Sequence, residues 1–322
     1  MLYPLSYGGS RLEKGTRPPA GYADAVVLDR LADEIRVAFI EVVPDATRCD
    51  TDPRAGIRLV PPTHVGERPG TRGDLAFPVG PLLATARSAS GSSSIDQADQ
   101  SISRRSHTGD VPDTRLTASR LAELVAKRLE RLDAVDASWA EAGFVNLRLS
   151  GGALASIVWE ILRAGPSYGT PPGQATVAED EAARGPRHRL SPRLGDALRY
   201  AHARLAGLLR AGDALGVHRD PERLDPAALE AEESRQLICV LADYPGVVAR
   251  YLSGRARPRA FDAYVARFLA AVERFEAGAG PLPRGDEEPS PAHSARLLVA
   301  EASRVVAGRA LAWCGLPAPD RM

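Results

Sequence analysis

Tyr200 and Arg204 are the residues whose types and spacing most directly suggest chemistry in this sequence. They are four positions apart, and Gly207 follows three positions later, so in a helix all three share one face. There a ring can stack on an unpaired RNA base while the guanidinium contacts a base edge or a phosphate. The alternative is a surface tyrosine packed against the aliphatic stem of an arginine, which the spacing alone favours.

The helix that carries this pair is predicted over residues 194–211. Its apolar residues recur at steps of three and four, the pattern of one buried helical face. These residues are Leu194, Leu198, Ala201, Leu205, Leu208 and Leu209. We therefore expect a core helix that carries Tyr200 and Arg204 on a second face.

A second candidate surface lies on a strand predicted over residues 144–149. Period-two alternation sends one set of its side chains to the core: Val145, Leu147 and Leu149. Phe144, Asn146 and Arg148 then share the other face. They supply a stacking ring, an amide that can read a base and a partner for phosphate. The alternative is an edge strand with ordinary polar residues.

Two short motifs resemble the anticodon-binding helical domain of arginyl-tRNA synthetases. One is Tyr-Ala-His-Ala-Arg at residues 200–204, and the other is Gly-Leu-Pro-Ala-Pro-Asp-Arg-Met at residues 315–322. They bracket residues 192–322 at the spacing of that family. The resemblance implies an all-helical bundle over these residues.

The same resemblance implies which residues of the bundle contact RNA. In the family, the tyrosine, the arginine and the terminal methionine lie against the anticodon, which here implies contacts by Tyr200, Arg204 and Met322. Family members often have a Phe-Tyr pair where this sequence has Phe275 and Glu276. An anticodon contact is thus implied for Phe275 too, with the second ring missing.

The N-terminal half resembles the additional domain of the same synthetases. Residues 143–146, Gly-Phe-Val-Asn, and the helical stretch after them are similar to a strand and helix of that domain. Residues 73–78, Gly-Asp-Leu-Ala-Phe-Pro, resemble a second segment, although Leu and Phe-Pro replace an aromatic residue and Thr-Asn. In the family this domain contacts the tRNA D-loop, which implies D-loop contacts by Phe144, Asn146 and Arg148.

The catalytic part of such a synthetase has no counterpart between these two regions. Residues 170–189 lead directly from one to the other, and the sequence contains neither His-Ile-Gly-His nor Lys-Met-Ser-Lys-Ser. Those motifs stabilise the charge that develops during adenylate formation, and no P-loop or Rossmann glycine pattern replaces them. The sequence therefore predicts no catalytic residue, no cofactor, no metal site and no aminoacylation by this chain.

Charge and cysteine content limit the possible environments. Lys plus Arg and Asp plus Glu each total 41, so only local patches could attract RNA.

The three cysteines are widely separated, which fits neither a disulfide framework nor a zinc site and indicates a reducing cytoplasm. No apolar run approaches the roughly 18 residues of a membrane helix. We expect neither a membrane nor DNA as a partner.

The fold class predicted is α+β. A small mixed α/β additional domain of the D-loop type is expected over residues 23–169, followed by an all-α, DALR-type anticodon-binding bundle over residues 192–322. Residues 1–22 are expected to be a disordered leader, and residues 87–113 a disordered insertion. Residues 170–191 are expected to be a linker. It holds two glycines, three prolines and few apolar side chains, so the domains should move independently.

Further elements follow from periodicity and capping. One helix is expected near residues 23–36, and another begins after Ser119, which is expected to cap it. Four more are expected near residues 227–243, 246–253, 258–277 and 291–314, the last capped by Ser290. A strand is expected over residues 56–60. The apolar stripe from Phe261 to Phe275 is expected to be core.

Three functions fit this sequence. The first is a non-catalytic paralogue of arginyl-tRNA synthetase that binds tRNA, with a tRNA for arginine expected, and so acts in translation. The second is a tRNA-binding subunit that assists a separate, full-length arginine-tRNA ligase. The third is a protein-interaction scaffold that has lost RNA binding. Retention of tRNA would separate the first two from the third, and co-purification of a synthetase would separate the second from the first.

Overall fold

Helices predominate in the computed structural model, which describes residues 27–42, 73–80, 117–170, 187–254, 259–278 and 280–322. The N-terminal elements are α1 (Val27–Val42), β1 (Leu75–Pro78), α2 (Ala118–Leu129), β2 (Val135–Glu141), β3 (Phe144–Leu149) and α3 (Gly151–Ala164). The C-terminal elements are α4 (Pro192–Ala214), α5 (Glu232–Ala242), α6 (Tyr244–Leu252), α7 (Ala260–Gly278) and α8 (Pro291–Trp313). A C-terminal tail, residues 315–322, follows α8. This architecture is consistent with the predicted α+β class.

Several predicted features lie in parts of the chain that the structure does not describe. The predicted leader, the strand over residues 56–60, the insertion over residues 87–113 and most of the linker lie outside the described residues. In the described part, no helix combines the length and apolar character needed to span a membrane. The same part brings no three His, Cys, Asp or Glu side chains into a group that could hold a metal ion.

β3 is the central strand of a three-stranded antiparallel sheet with the order β1-β3-β2. The predicted alternation is confirmed, because Val145, Leu147 and Leu149 are fully buried. The alternative of an edge strand is excluded, since β3 pairs with a strand on each side. A two-residue turn joins β2 to β3, and both Ala142 and Gly143 have positive φ, 49° and 77°. This is the backbone of the tight turns that suit the twist of a hairpin.

α2 covers the inner face of the sheet. Its buried side chains alternate by three and four positions, as at Leu121 and Val125. A hydrogen bond links β2 to α2, because the Ser138 hydroxyl donates to the Ala126 carbonyl at 2.6 Å. The cap of this helix is Thr117, whose hydroxyl accepts from the backbone N–H of Arg120 at 3.2 Å. The prediction of a Ser119 cap was therefore wrong by two residues.

α4 is the core helix that the sequence predicts, although it begins earlier, at Pro192. Ser191 caps it and proline occupies the first helical position, where the missing N–H costs nothing. The predicted stripe is buried at Leu198, Ala201, Leu205 and Leu209, and partly buried at Leu194 and Leu208. Helices α7 and α8 pack against it. The Ser290 cap predicted for α8 is confirmed, and His293 completes a capping box with it.

The N-terminal and helical parts of the chain share one hydrophobic core. A buried ion pair also joins them: Arg235 of α5 donates from Nε and Nη2 to the Asp74 carboxylate at 3.0 and 2.5 Å. The same guanidinium donates to the Leu149 carbonyl at the end of β3. Removal of either side chain would leave the other charge buried without a partner, at a large desolvation cost. This packing contradicts the expectation that the two parts move independently.

The connection between these two parts begins and ends against α8. Thr170 accepts a hydrogen bond on its hydroxyl from Arg309 Nη2 at 3.0 Å. Arg187 donates its backbone N–H to the Trp313 carbonyl at 3.1 Å. Arg309 and Trp313 are four positions apart, so they lie about one helical turn from each other. The chain therefore leaves and returns over the same end of α8.

Candidate nucleic-acid interface

The exposed face of α4 carries Tyr200 and Arg204. Tyr200 is 56% exposed, and the side chain of Arg204 is 54% exposed. The neighbouring positions on the opposite face of the helix are buried: Leu198, Ala201 and Leu205. The two side chains that spacing placed on one helical face therefore lie together on the surface, where both a ring and a guanidinium are accessible.

Arg204 has an acidic neighbour that the sequence did not reveal. Its Nε lies 2.8 Å from Oε2 of Glu276, which extends from α7 and is only 10% exposed. Burial raises the pKa of Glu276, Arg204 lowers it and Glu273 raises it further. The pair was missed because its members come from different helices. When Glu276 is ionised, the charge of Arg204 is locally neutralised.

Phe275 lies inside the bundle instead of on its surface. Its ring is 0% exposed and belongs to the buried stripe of α7 that includes Phe268 and Val272. Helical periodicity places this position inward, whereas the next residue, Glu276, reaches the surface edge. The anticodon contact implied for Phe275 would require the core to open, so we remove this residue from the candidate surface.

The C-terminal tail runs back over α4 and is held there by side chains from two helices. His202 of α4 contacts the Pro319 carbonyl through Nδ1 at 2.8 Å. Arg210 donates from Nη2 to the Asp320 carbonyl at 3.1 Å, and Arg304 of α8 donates to the Asp320 carboxylate at 2.7 Å. These three side chains had no assigned role in the sequence. Their contacts hold Pro319 and Asp320 against α4 and α8, and Met322, two residues later, is exposed.

His202 makes this attachment as a neutral imidazole. A carbonyl oxygen only accepts, so Nδ1 carries the hydrogen in the contact with Pro319. Burial is the main cause that lowers the pKa of His202; the Pro319 carbonyl raises it, Arg304 lowers it and Asp320 raises it. Nε2 is buried without a hydrogen-bond partner in the structure. A proton on Nε2 would therefore place an unpaired donor and a charge inside the protein.

The outer face of the sheet carries the second predicted set. Phe144, Asn146 and Arg148 share this face, and Phe144 and Arg148 are partly exposed. Asn146 is only 8% exposed, because it lies in the central strand between Ala76 of β1 and Trp139 of β2. Its amide is therefore much less accessible for reading a base than the sequence suggested.

Trp139 is an aromatic residue of this outer face that the sequence reasoning missed. A Cβ added to Gly73 would lie 3.2 Å from Cη2 of the indole, so the glycine leaves room for the ring at the start of β1. Trp139 pairs directly with Asn146, and its side chain is partly buried. We call Trp139, Phe144 and Arg148 the sheet surface. It combines two rings and a cation, which suits RNA.

Comparison with known proteins relates this chain to arginine--tRNA ligases. It is 37% identical over 125 residues to the arginine--tRNA ligase of Frankia alni. It is 34% identical over 126 residues to that of Kineococcus radiotolerans. Each match covers 39% of this chain and 22% of the relative, so the chain spans about a fifth of the length of these curated relatives. No protein-family model and no solved structure matches it.

Proposed function

We propose that this chain, which is related to arginine--tRNA ligases, binds tRNA and does not itself aminoacylate it. The observation that carries the proposal is the pair of exposed side chains Tyr200 and Arg204 on α4. A ring and a guanidinium one helical turn apart can stack on an unpaired base and contact its edge. A tRNA for arginine is the expected ligand.

The anticodon loop is the part of tRNA that suits this face. Its bases are unpaired and can be splayed onto an aromatic side chain. We assign Tyr200, Arg204 and Met322 to one α4 surface; the tail that carries Met322 is attached to α4 at Pro319 and Asp320. The sheet surface provides a second contact, assigned to the D-loop. Because basic and acidic residues each total 41 in the chain, both contacts depend on local chemistry.

The absence of aminoacylation is supported by the sequence between the two parts. Neither ATP-handling motif occurs among the 322 residues. Thr170 and Arg187, which flank the intervening segment, both contact the end of α8, and α3 packs directly on that helix. Arginine-dependent pyrophosphate exchange above a no-enzyme control would contradict this part of the proposal.

The decisive test is filter binding of tRNA at low and high salt, beside thermal unfolding. Tyr200→Ala and Arg204→Ala should each weaken binding by about 1–3 kcal/mol, the scale of a lost stacking or base contact. The melting temperature of Tyr200→Ala should stay near that of the wild type, because its side chain is more than half exposed. Arg204→Ala also removes the ion partner of Glu276, so its binding is compared with its own melting curve. Arg223→Ala is the matched control, since Arg223 is a highly exposed arginine outside α4.

Equal affinity of both variants and the wild type for tRNA would remove the α4 surface from the interface. If the stability of Tyr200→Ala falls while binding is unchanged, the ring serves only to pack against its neighbours. Weaker binding by Arg223→Ala to the same degree would indicate attraction by total charge rather than by this surface.

A scaffold without RNA binding is the second candidate, and one observation favours it. Glu276 lies 2.8 Å from Arg204 and offsets its charge. A chain of this kind would retain no tRNA even at low salt, where phosphate contacts are strongest. A subunit that assists a separate ligase would instead retain tRNA and co-purify with a synthetase.

A further inference from the structure

We propose that Glu276 is a positioning residue that makes Arg204 read a base edge in preference to a phosphate. The inference rests on the proposed tRNA binding and concerns the specificity of the same α4 surface. An acidic side chain, Glu276, stands 2.8 Å from Nε of the exposed Arg204.

The ion pair with Glu276 fixes the Nε side of the Arg204 guanidinium. Glu276 is nearly buried, and the preceding residue, Phe275, is fixed in the core of the bundle. The carboxylate therefore has little freedom, and it holds Nε of Arg204 at 2.8 Å. Among the described residues, the structure gives this guanidinium no other ionic partner. More than half of the Arg204 side chain is exposed, so its terminal N–H groups remain accessible to a ligand.

The charge of the pair then selects the kind of ligand. A free guanidinium binds phosphate strongly and releases counterions when it does so. Beside an ionised Glu276 the pair has no net charge, and an incoming phosphate is repelled by the carboxylate. A neutral base experiences no such repulsion, so the pair weakens phosphate contacts more than base contacts.

The shape of the guanidinium selects among bases. Its planar fork donates two parallel N–H groups to two adjacent acceptors. Guanine offers such a pair at O6 and N7, and cytosine at N3 and O2, whereas adenine and uracil place a donor next to each acceptor. Tyr200, one turn away on the same helix face, provides a ring on which the base can stack. The ligand is therefore an unpaired guanine or cytosine.

Stem-loop RNAs test this inference. Four hairpins share one stem and one loop of uridines, except that the central loop nucleotides are all C, all G, all A or all U. The wild type should bind the C or the G loop roughly 5- to 150-fold more tightly than the A and U loops, the range of a good bidentate pair. The tighter of the two identifies the base.

Glu276→Gln removes the charge and keeps the shape of the side chain. This variant should lose most of the base preference, to within about twofold, because the fork is no longer held by a carboxylate. Its affinity should also fall more steeply with salt, by about 0.7 in the logarithmic slope, since Arg204 regains a phosphate. Glu273→Gln is the matched control: Glu273 is an exposed acid on the same helix. It should keep the wild-type base preference.

The outcomes separate the inference from the proposed function. Equal binding of all four loops by the wild type overturns the inference and leaves tRNA binding intact. Unchanged base preference in Glu276→Gln also overturns it, provided that the variant melts as the wild type does. If the wild type retains neither a hairpin nor tRNA, both the inference and the proposed function are wrong.

Discussion

His202 is a buried ionisable residue whose single hydrogen bond ties the C-terminal tail to α4. Burial favours the neutral imidazole, whereas the hydrogen bond to the Pro319 carbonyl favours the protonated one, and histidine titrates near physiological pH. Arg304 and Asp320 are the charged groups that face it, and they shift its pKa in opposite directions. At the scale of a single residue, the stability of the folded chain is therefore linked to pH.

The free energy of unfolding should fall as pH is lowered from about 7.5 to about 5.5. The pKa of His202 is lowered from 6.5 in the folded protein. Its contribution to stability is therefore present above that value and is lost as pH falls through the folded pKa. His202→Asn keeps a donor and does not titrate, so denaturant unfolding at both pH values should show a smaller loss.

The control for this prediction is His218→Asn, at an exposed histidine just after α4. It should retain the pH dependence of the wild type. Glu276 and Glu301, whose pKa values burial raises, favour the folded state at lower pH and act in the opposite sense in every variant. Identical pH dependence in the wild type and His202→Asn would contradict the assignment.

The β2-β3 hairpin is the element that sets the composition of the sheet surface. Its turn fixes the register that pairs Trp139 with Asn146 and Glu141 with Phe144. A shift by one residue would turn these side chains to the opposite face of the sheet. Ala142 is strained in this turn, because its φ of 49° suits Asn or Gly better than a residue with a Cβ methyl group.

Ala142→Asn should therefore stabilise the protein, by up to about 1 kcal/mol, since asparagine tolerates the left-handed conformation. Gly143→Ala should destabilise it by about 1–2 kcal/mol, because φ is 77° at that position. Denaturant unfolding of the two variants measures both changes. A loss of stability in Ala142→Asn, or no loss in Gly143→Ala, would contradict this account of the turn.

Sequence patterns predicted helices better than strands in this chain. The helices expected near residues 194–211, 246–253, 258–277 and 291–314 are confirmed, because each has a clear apolar stripe. The region 227–243 begins with a 3-10 turn, so its helix is shorter, Glu232–Ala242. β2 was not predicted, since Asp, Ala, Ser and Glu obscure its alternation. Its pairing with β3 is long-range information that periodicity does not contain.

The candidate site was predictable only where it depends on one element. Tyr200 and Arg204 are neighbours within one helix, so spacing was sufficient to place them together. Glu276, Trp139 and the residues that hold the tail meet across elements, and spacing says nothing about such contacts. Phe275 illustrates the reverse case: the resemblance implied a contact, whereas the helical stripe already indicated burial.

At the scale of the whole molecule, one buried charge pair links the two parts of the chain. Burial alone lowers the pKa of Arg235, but the hydrogen bonds and charge of Asp74 more than offset this effect. Tyr168 adds a second contact, because its ring stacks on Tyr244 and its hydroxyl reaches the Leu241 carbonyl at 3.4 Å. The sheet and the bundle should therefore unfold together.

Asp74→Asn should lower the free energy of unfolding by about 3–5 kcal/mol, because it leaves the Arg235 charge buried without a counter-ion. Asp74→Leu combined with Arg235→Met should recover part of that loss, since no charge remains to be desolvated, while the Leu149 N–H and carbonyl lose their side-chain partners. Glu123→Gln, which breaks an exposed pair with Arg120, should change stability by less than about 1 kcal/mol. A cost for Asp74→Asn no larger than that of Glu123→Gln would contradict the interpretation.

The adjacent contacts of Thr170 and Arg187 with α8 have a consequence for how this chain can change its length. A segment whose two ends both contact the end of one helix can be extended without displacing the parts on either side. The entropic cost of closing it grows slowly, by only about 0.6 kcal/mol for each doubling. Whole domains can be inserted at such positions because their own termini are often close together. This junction is therefore a natural point for gaining or losing a domain through a single insertion or deletion in the gene.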